Sequence, residues 1–161
     1  MTDHTLQKQM IQTGGALAGL SVAFGAFGAH VLKDLIDEQS MNTFQTALRY
    51  QFYHAFTILL IGSMMRRMDP KYARIIFQLF LYGIGIFCGT LYILALSTYL
   101  LGELAEEVLF IGALTPVGGV LLVGGWALLV WKGYKFTQDA ESSTPRHRRK
   151  SSSEKKIENI I

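Results

Sequence analysis

The residues with the greatest chemical potential in this sequence lie in one short stretch, residues 47–54, which reads Ala-Leu-Arg-Tyr-Gln-Phe-Tyr-His. In a helix, Tyr50 would lie one turn before His54 on the same face. An imidazole can bind a proton near neutral pH, and a guanidinium can bind a lipid headgroup. Arg49, Tyr50 and His54 are therefore candidate binding residues.

Two further polar residues are candidates for binding. His30 directly follows the apolar segment 10–29, and Thr115 lies within the apolar segment 108–131. His30 and His54 raise the question of a haem or metal site, but no carboxylate or thiol accompanies them at the same depth. The sequence also has no Ser–His–Asp arrangement, nucleotide-binding loop or metal-spaced cluster. We therefore expect no enzyme activity, no catalytic residue, no metal and no cofactor.

Four apolar segments would position these residues: 10–29, 48–65, 75–101 and 108–131. Crossing the hydrocarbon takes about 20 residues at 1.5 Å each, so each segment has about the length to span it. Only 17% of the 161 residues are charged, and none of these lies within 108–131. The second segment is the shortest and carries His54, which makes it the weakest by hydropathy. The sequence predicts an all-α, integral membrane four-helix bundle over residues 1–135.

The distribution of Lys and Arg predicts the orientation of this bundle. With four spans, one side holds 13 of the 15 basic residues, and the other holds only Lys33 and Arg49. The positive-inside rule places the basic side in the cytoplasm. We expect a cell-membrane protein with both termini cytoplasmic. A cleaved signal peptide is the alternative for the first segment, although the apolar stretch exceeds the usual 7–15 residues.

The segments outside the spans differ in character. Residues 30–49 repeat apolar residues at roughly helical spacing, which predicts a short amphipathic helix between spans 1 and 2; an ordinary loop is the alternative. Residues 136–161 form a basic, Ser-rich tail that we expect to be disordered and cytoplasmic. The basic cluster at 146–150 either anchors the topology or lies on anionic lipid. No nucleic-acid role is expected for a chain held in the lipid bilayer.

The predicted topology gathers the polar candidates on the outer side of the membrane. His30 ends the first span there, and Thr115 lies about two turns into the fourth. The full outer set is His30, Arg49, Tyr50, His54 and Thr115. This set either binds a small ligand, a lipid headgroup or a proton, or it is a hydrogen-bonded arrangement that fixes the register of the helices.

Pairs of glycines four residues apart predict close helix packing. Gly15 with Gly19, and Gly85 with Gly89, have the small-residue spacing that lets membrane helices approach closely. The spacing does not distinguish packing inside the bundle from contact with a membrane-protein partner or a homo-oligomer.

Four stretches together resemble the signatures of a known family. They are residues 25–30 with Leu32 and Lys33, then 47–54, 89–92 and 114–119, in that order. They resemble the YgdD/YwdK-like small membrane proteins, a domain of unknown function, over about residues 11–131. The resemblance implies a four-helix protein of the cell membrane with relatives in animals, and no established activity, substrate or cofactor. The long basic tail departs from family members, which commonly end soon after the last span.

The expected function is that of a non-enzymatic membrane protein. It is structural or accessory, or it binds a small partner through the outer polar set. A small transporter or channel with an outward-facing polar vestibule is the alternative. Transport needs a polar path toward the cytoplasm, and Gln78 and Thr90 are the few polar residues deeper in the third segment.

Overall fold

The computed structural model describes residues 3–102 and 109–142, and every element within these ranges is helical. Four long helices follow the chain: α1 (Asp3–His30), α2 (Glu38–Ser63), α3 (Pro70–Leu101) and α4 (Thr115–Ser142). Short 3-10 helices lie between them at Leu32–Asp34, Met65–Arg67 and Leu109–Leu114. The all-α expectation is confirmed for the described residues. Residues 143–161, which make up most of the predicted tail, lie outside them.

The long helices pack in the order of the chain, α1 on α2, α2 on α3 and α3 on α4. The main core lies between α2 and α3, where Ile58, Ile76 and Phe80 are fully buried. Met10 extends this core onto α1, and Leu122 extends it onto α4. Because α2 and α3 are central, a polar residue on either helix can reach two neighbours.

Among the described residues, three helical segments are long and apolar enough to cross a membrane: His4–Asp34, Pro70–Ser97 and Phe110–Lys132. They contain most of the first, third and fourth predicted spans. The helix α2 is not among them, since polar residues such as Glu38 and Arg49 lower the hydropathy of its first half. The second span, and with it the count of four, therefore stays a prediction.

The segment between the first two predicted spans differs from the expectation. Leu32–Asp34 is a single 3-10 turn, and α2 already begins at Glu38, so no separate amphipathic helix exists within residues 30–49. The helical spacing arises because the first turns of α2 pack on α1, with Phe44 beside Gly28 and Leu48 beside Gly25. The prediction of a separate short helix is wrong, and its periodicity belongs to α2.

A side-chain cap sets the point at which α2 begins. Asp37 accepts a hydrogen bond from the Ser40 hydroxyl at 2.7 Å and another from the Ser40 backbone N–H at 3.0 Å. Both bonds favour the carboxylate and lower the pKa of Asp37 below its usual range. The cap therefore gives a hydrogen-bond acceptor to one of the backbone N–H groups in the first turn of α2, which have no partner within the helix.

Candidate functional site

His54 lies in the interior of the bundle, only 5% exposed, with a partner for each ring nitrogen. Its Nδ1 is 2.7 Å from the Tyr50 carbonyl oxygen, which can only accept, so Nδ1 carries a hydrogen. Its Nε2 is 3.1 Å from Nε1 of Trp126 on α4, an indole N–H that can only donate. The two partners therefore select the neutral ring, protonated on Nδ1 and accepting on Nε2.

Aromatic rings enclose the pair formed by His54 and Trp126. The ring of Phe80, on α3, lies 5.4 Å from the His54 ring and 5.5 Å from the Trp126 ring, between centroids. Tyr50 stacks on His54 at 6.1 Å. Gly125 makes room for this arrangement, because a Cβ there would lie 2.6 Å from Cε1 of Phe80. The pair thus joins α2 to α4 across the edge of α3.

Gln51 forms a second buried polar contact, which joins three helices. Its Nε2 donates to the Leu17 carbonyl oxygen of α1 at 3.0 Å, and its Oε1 accepts from the Tyr92 hydroxyl of α3 at 3.1 Å. Gln51 is 3% exposed, less than His54 itself. Gln51 is not among the binding residues predicted from the sequence. Its position three residues before His54, on the same face of a helix, was the available signal.

The third polar contact joins α3 to α4 through two threonines. The hydroxyl oxygens of Thr90 and Thr115 are 2.8 Å apart, and the Thr90 hydroxyl is also 2.9 Å from the Phe87 carbonyl oxygen. A hydroxyl has only one hydrogen to donate. Thr90 therefore donates to Phe87, and Thr115 donates to Thr90.

His30 does not lie with His54. It is exposed at the last residue of α1, whereas His54 is buried. Gly28, two residues before His30, lies beside Phe44 of α2. Phe44 precedes His54 by ten residues, which corresponds to about 15 Å along a helix. The two histidines therefore lie at different depths and do not form a shared site.

The other predicted site residues are only partly brought together. Tyr50 contacts the His54 ring and also lies 4.9 Å from the Phe87 ring, between centroids. Arg49 is exposed and stays on its own helix, where its Nε donates to the Gln45 carbonyl oxygen at 3.2 Å. Thr115 meets Thr90 rather than His54. Of the five residues predicted to form one outer set, Tyr50 and His54 therefore form a ring pair. His30, Arg49 and Thr115 each occupy a separate position.

In the described part of the chain, these residues neither form a metal site nor line the cleft beside the first turns of α2. Within residues 3–102 and 109–142, no group of three or more His, Cys, Asp or Glu side chains could hold a metal ion. A cleft of about 660 Å³ lies beside the first turns of α2, and Leu91 of α3 completes it. Its other lining residues are the cap Asp37 and, on α2, Glu38, Gln39, Asn42, Thr43 and Thr46. The cleft therefore lies apart from the pair formed by His54 and Trp126.

Beyond His54, toward the end that carries Arg66 and Arg67, the buried residues are largely apolar. They include Ile58, Ile61, Met65, Ile76 and Phe77. Thr57 is polar, but its hydroxyl donates to the Tyr53 carbonyl oxygen. Gln78 is exposed on the outside of α3, and Thr90 is engaged by Thr115. These contacts give no support to a polar path through the described bundle.

The glycines predicted to mediate helix packing face away from neighbouring helices. A Cβ added at Gly15, Gly19, Gly85 or Gly89 would meet nothing within 4 Å. Close packing instead involves glycines such as Gly14, whose added Cβ would lie 2.9 Å from the Ala55 carbonyl oxygen. The four predicted glycines therefore lie on the outside of the bundle.

Large apolar side chains cover much of the outer surface of the helices. Those more than 60% exposed include Val22 on α1, Tyr82 on α3, and Val120, Val123, Val130 and Trp131 on α4. Apolar exposure of this extent is typical of a surface that faces lipid or another protein. Together with the long apolar helices and the hydrogen-bonded interior, this exposed apolar surface defines an α-helical membrane protein.

The family follows from the sequence relatives. Residues 24–119 match the family described as "Protein of unknown function (DUF423)". The chain is 34% identical over 129 residues to the UPF0382 membrane protein SH2409 of Staphylococcus haemolyticus, covering 80% of this chain and 98% of that protein. It is 29% identical over 130 residues to the UPF0382 membrane protein YwdK of Bacillus subtilis, with the same coverage. No solved structure matches it significantly. The chain belongs to this family of uncharacterised membrane proteins, which confirms the YwdK-like resemblance.

Proposed function

We propose that this protein is a non-enzymatic accessory protein of the cell membrane, with four spans and a structural polar interior. The supporting observation is that no buried side-chain polar atom in the described residues lacks a hydrogen-bond partner. The interhelical bonds of Gln51, His54 and Thr90 join all four helices. A catalytic or ligand-binding centre needs polar groups that are free to meet a substrate, whereas these groups are occupied by one another.

The contacts between α1 and α2 support α2 as the second span. Gly28 near the end of α1 lies beside Phe44, and Gln7 near its start donates to the Gly62 carbonyl oxygen at 3.1 Å. The two helices therefore run side by side over most of their length, at the same depth. The large apolar or aromatic side chains that are exposed in the second half of α2 are Phe52, Tyr53, Phe56 and Leu60, and Met64 follows directly after the helix. Four crossings place both termini on the same side, which the excess of Lys and Arg assigns to the cytoplasm.

Cysteine labelling of cells tests this topology. In a Cys88→Ala background, we expect Lys33→Cys to react with a membrane-impermeant maleimide on intact cells. We expect Arg67→Cys to react only after the membrane is permeabilised, because α2 would separate the two positions. Lys33 and Arg67 are exposed, and the native cysteine is buried. Labelling of both positions from the same side would rule out α2 as a span.

Photo-crosslinking in native membranes tests the accessory role. The exposed glycines on α1 and α3 let another helix approach closely, so a partner is expected on one of these faces. A photoreactive residue at Ala16 or Tyr82 should then give a discrete crosslinked product, whether with a second copy or with another protein. Val130, exposed on α4, is the matched control. If Ala16 and Tyr82 give only lipid adducts, the accessory role is wrong.

A further inference from the structure

We propose that His54 is a proton-binding site, and that a bound proton opens the contact between α2 and α4. This goes beyond the structural role proposed above, because it makes one of the interhelical bonds responsive to a ligand. The ligand is a proton taken from water. The site consists of Nε2 of His54 and the indole N–H of Trp126 that faces it at 3.1 Å.

The two hydrogen bonds of the ring determine where the proton binds. Nδ1 already carries a hydrogen, which it donates to the Tyr50 carbonyl oxygen. The lone pair of Nε2 is the remaining basic position, and it accepts from Trp126. A proton that binds there gives an imidazolium with one positive charge and an N–H on each nitrogen. Trp126 keeps its own hydrogen, so two donors then face each other and no hydrogen bond can form.

The groups around the ring offer no counter-ion for this charge. Tyr50 of α2, Phe80 of α3 and Trp126 of α4 are the rings in contact with His54. Tyr50 is the one titratable group among them. Other polar groups on α2 and α3 have partners of their own: Gln51 bonds to Leu17 and Tyr92, Thr57 to the Tyr53 carbonyl oxygen, and Arg49 to its own helix. An uncompensated charge in an apolar interior is costly, so the protonated ring favours a more open arrangement.

The packing of α4 explains why this contact can open without unfolding the bundle. The principal contacts of α4 are with α3, through the close approach of Gly118 to Phe87 and of Gly83 to Leu122. Its contact with α2 includes the hydrogen bond and the ring contact between Trp126 and His54. Trp126 is 42% exposed, so one indole ring separates Nε2 from the surface between α2 and α4. Loss of the His54–Trp126 bond therefore frees one edge of α4 while its packing on α3 remains.

Fluorescence of Trp126 measures proton binding in the full chain. Trp126 and Trp131 are the two tryptophans, so Trp131→Phe leaves one reporter. In lipid nanodiscs between pH 8 and pH 5, we expect a one-proton change in its emission intensity. His54→Gln should abolish the change, because an amide can keep both hydrogen bonds without titrating. His30→Gln, at an exposed histidine, is the matched control and should keep it.

Spin labels at Tyr53→Cys on α2 and Val123→Cys on α4, in a Cys88→Ala background, measure the opening itself. Both positions are exposed. We expect the distance between the labels to increase as the pH falls, and to become independent of pH with His54→Gln. With Trp126→Phe the open distance is expected at every pH, which keeps the test valid if His54→Gln does not fold. A fluorescence change that survives His54→Gln, or a label distance that does not change with pH, would overturn the proposal.

Discussion

Gly118→Ala is expected to cause the largest loss of stability among single-methyl additions to α4. A Cβ at this position would overlap the backbone N of Phe87 and lie 2.8 Å from its Cα atom. Backbone atoms cannot rotate out of the way as the end of a side chain can, so α3 and α4 must move apart. Overpacking of this kind costs about 1–3 kcal/mol. The thermal unfolding temperature of the protein in detergent, followed by circular dichroism, measures the effect.

Gly124→Ala is the matched control, since it adds the same methyl group to the same helix. A Cβ at Gly124 meets nothing within 4 Å, so the change should be neutral or slightly stabilising through helix propensity. The difference between the two variants isolates the contact between α3 and α4. Equal unfolding temperatures for the two variants would show that Gly118 does not pack on Phe87 as described.

Gln51→Leu is expected to have the second largest effect, because it leaves a partly buried donor without an acceptor. The Tyr92 hydroxyl donates to Gln51 Oε1 at 3.1 Å and would lose that partner. The Leu17 carbonyl oxygen is less affected, since it also accepts from the Ser21 hydroxyl at 2.9 Å. An unsatisfied buried donor costs about 1–3 kcal/mol, whereas interhelical hydrogen bonds in membrane proteins contribute less, about 0.6–2 kcal/mol.

A double-mutant cycle with Tyr92→Phe separates this bond from a general effect of repacking. Gln51→Leu together with Tyr92→Phe removes both partners, so the double variant should recover part of the stability lost by Gln51→Leu alone. Gln45→Leu, at an exposed position on the same helix, should change the unfolding temperature little. Strictly additive losses in the cycle would mean that Gln51 and Tyr92 do not interact.

The interhelical contacts of Gln51, Thr90 and His54 differ in what they contribute to function. The bonds of Gln51 and of Thr90 with Thr115 join groups that do not titrate near neutral pH, so they hold the bundle under all ordinary conditions. The bond between His54 and Trp126 depends on a ring nitrogen that can bind a further proton. We therefore propose that the contacts of Gln51 and of Thr90 with Thr115 hold the helices together at every pH. The contact of His54 with Trp126 opens when His54 binds a proton.

The sequence by itself determined the class of the protein, three of its apolar helices and its family. Hydrocarbon thickness sets the length of an apolar segment, and that length can be read without knowing what the segment packs against. The stretch at 47–54 also singled out His54, which the structure places in the interior of the bundle. Its neighbour Gln51 was overlooked, because a buried polar residue is recognised only once its partners are known.

Only the tertiary structure decided which residues meet. The rotation of each helix selected Gly14 rather than Gly15 for the contact with α2, although the two are adjacent in sequence. The same geometry kept His30 away from His54 and paired His54 with Trp126, 72 residues further along the chain. Composition and spacing describe each helix alone, whereas a hydrogen bond between helices depends on their relative rotation and depth. Those two quantities are set by side-chain packing across the whole bundle.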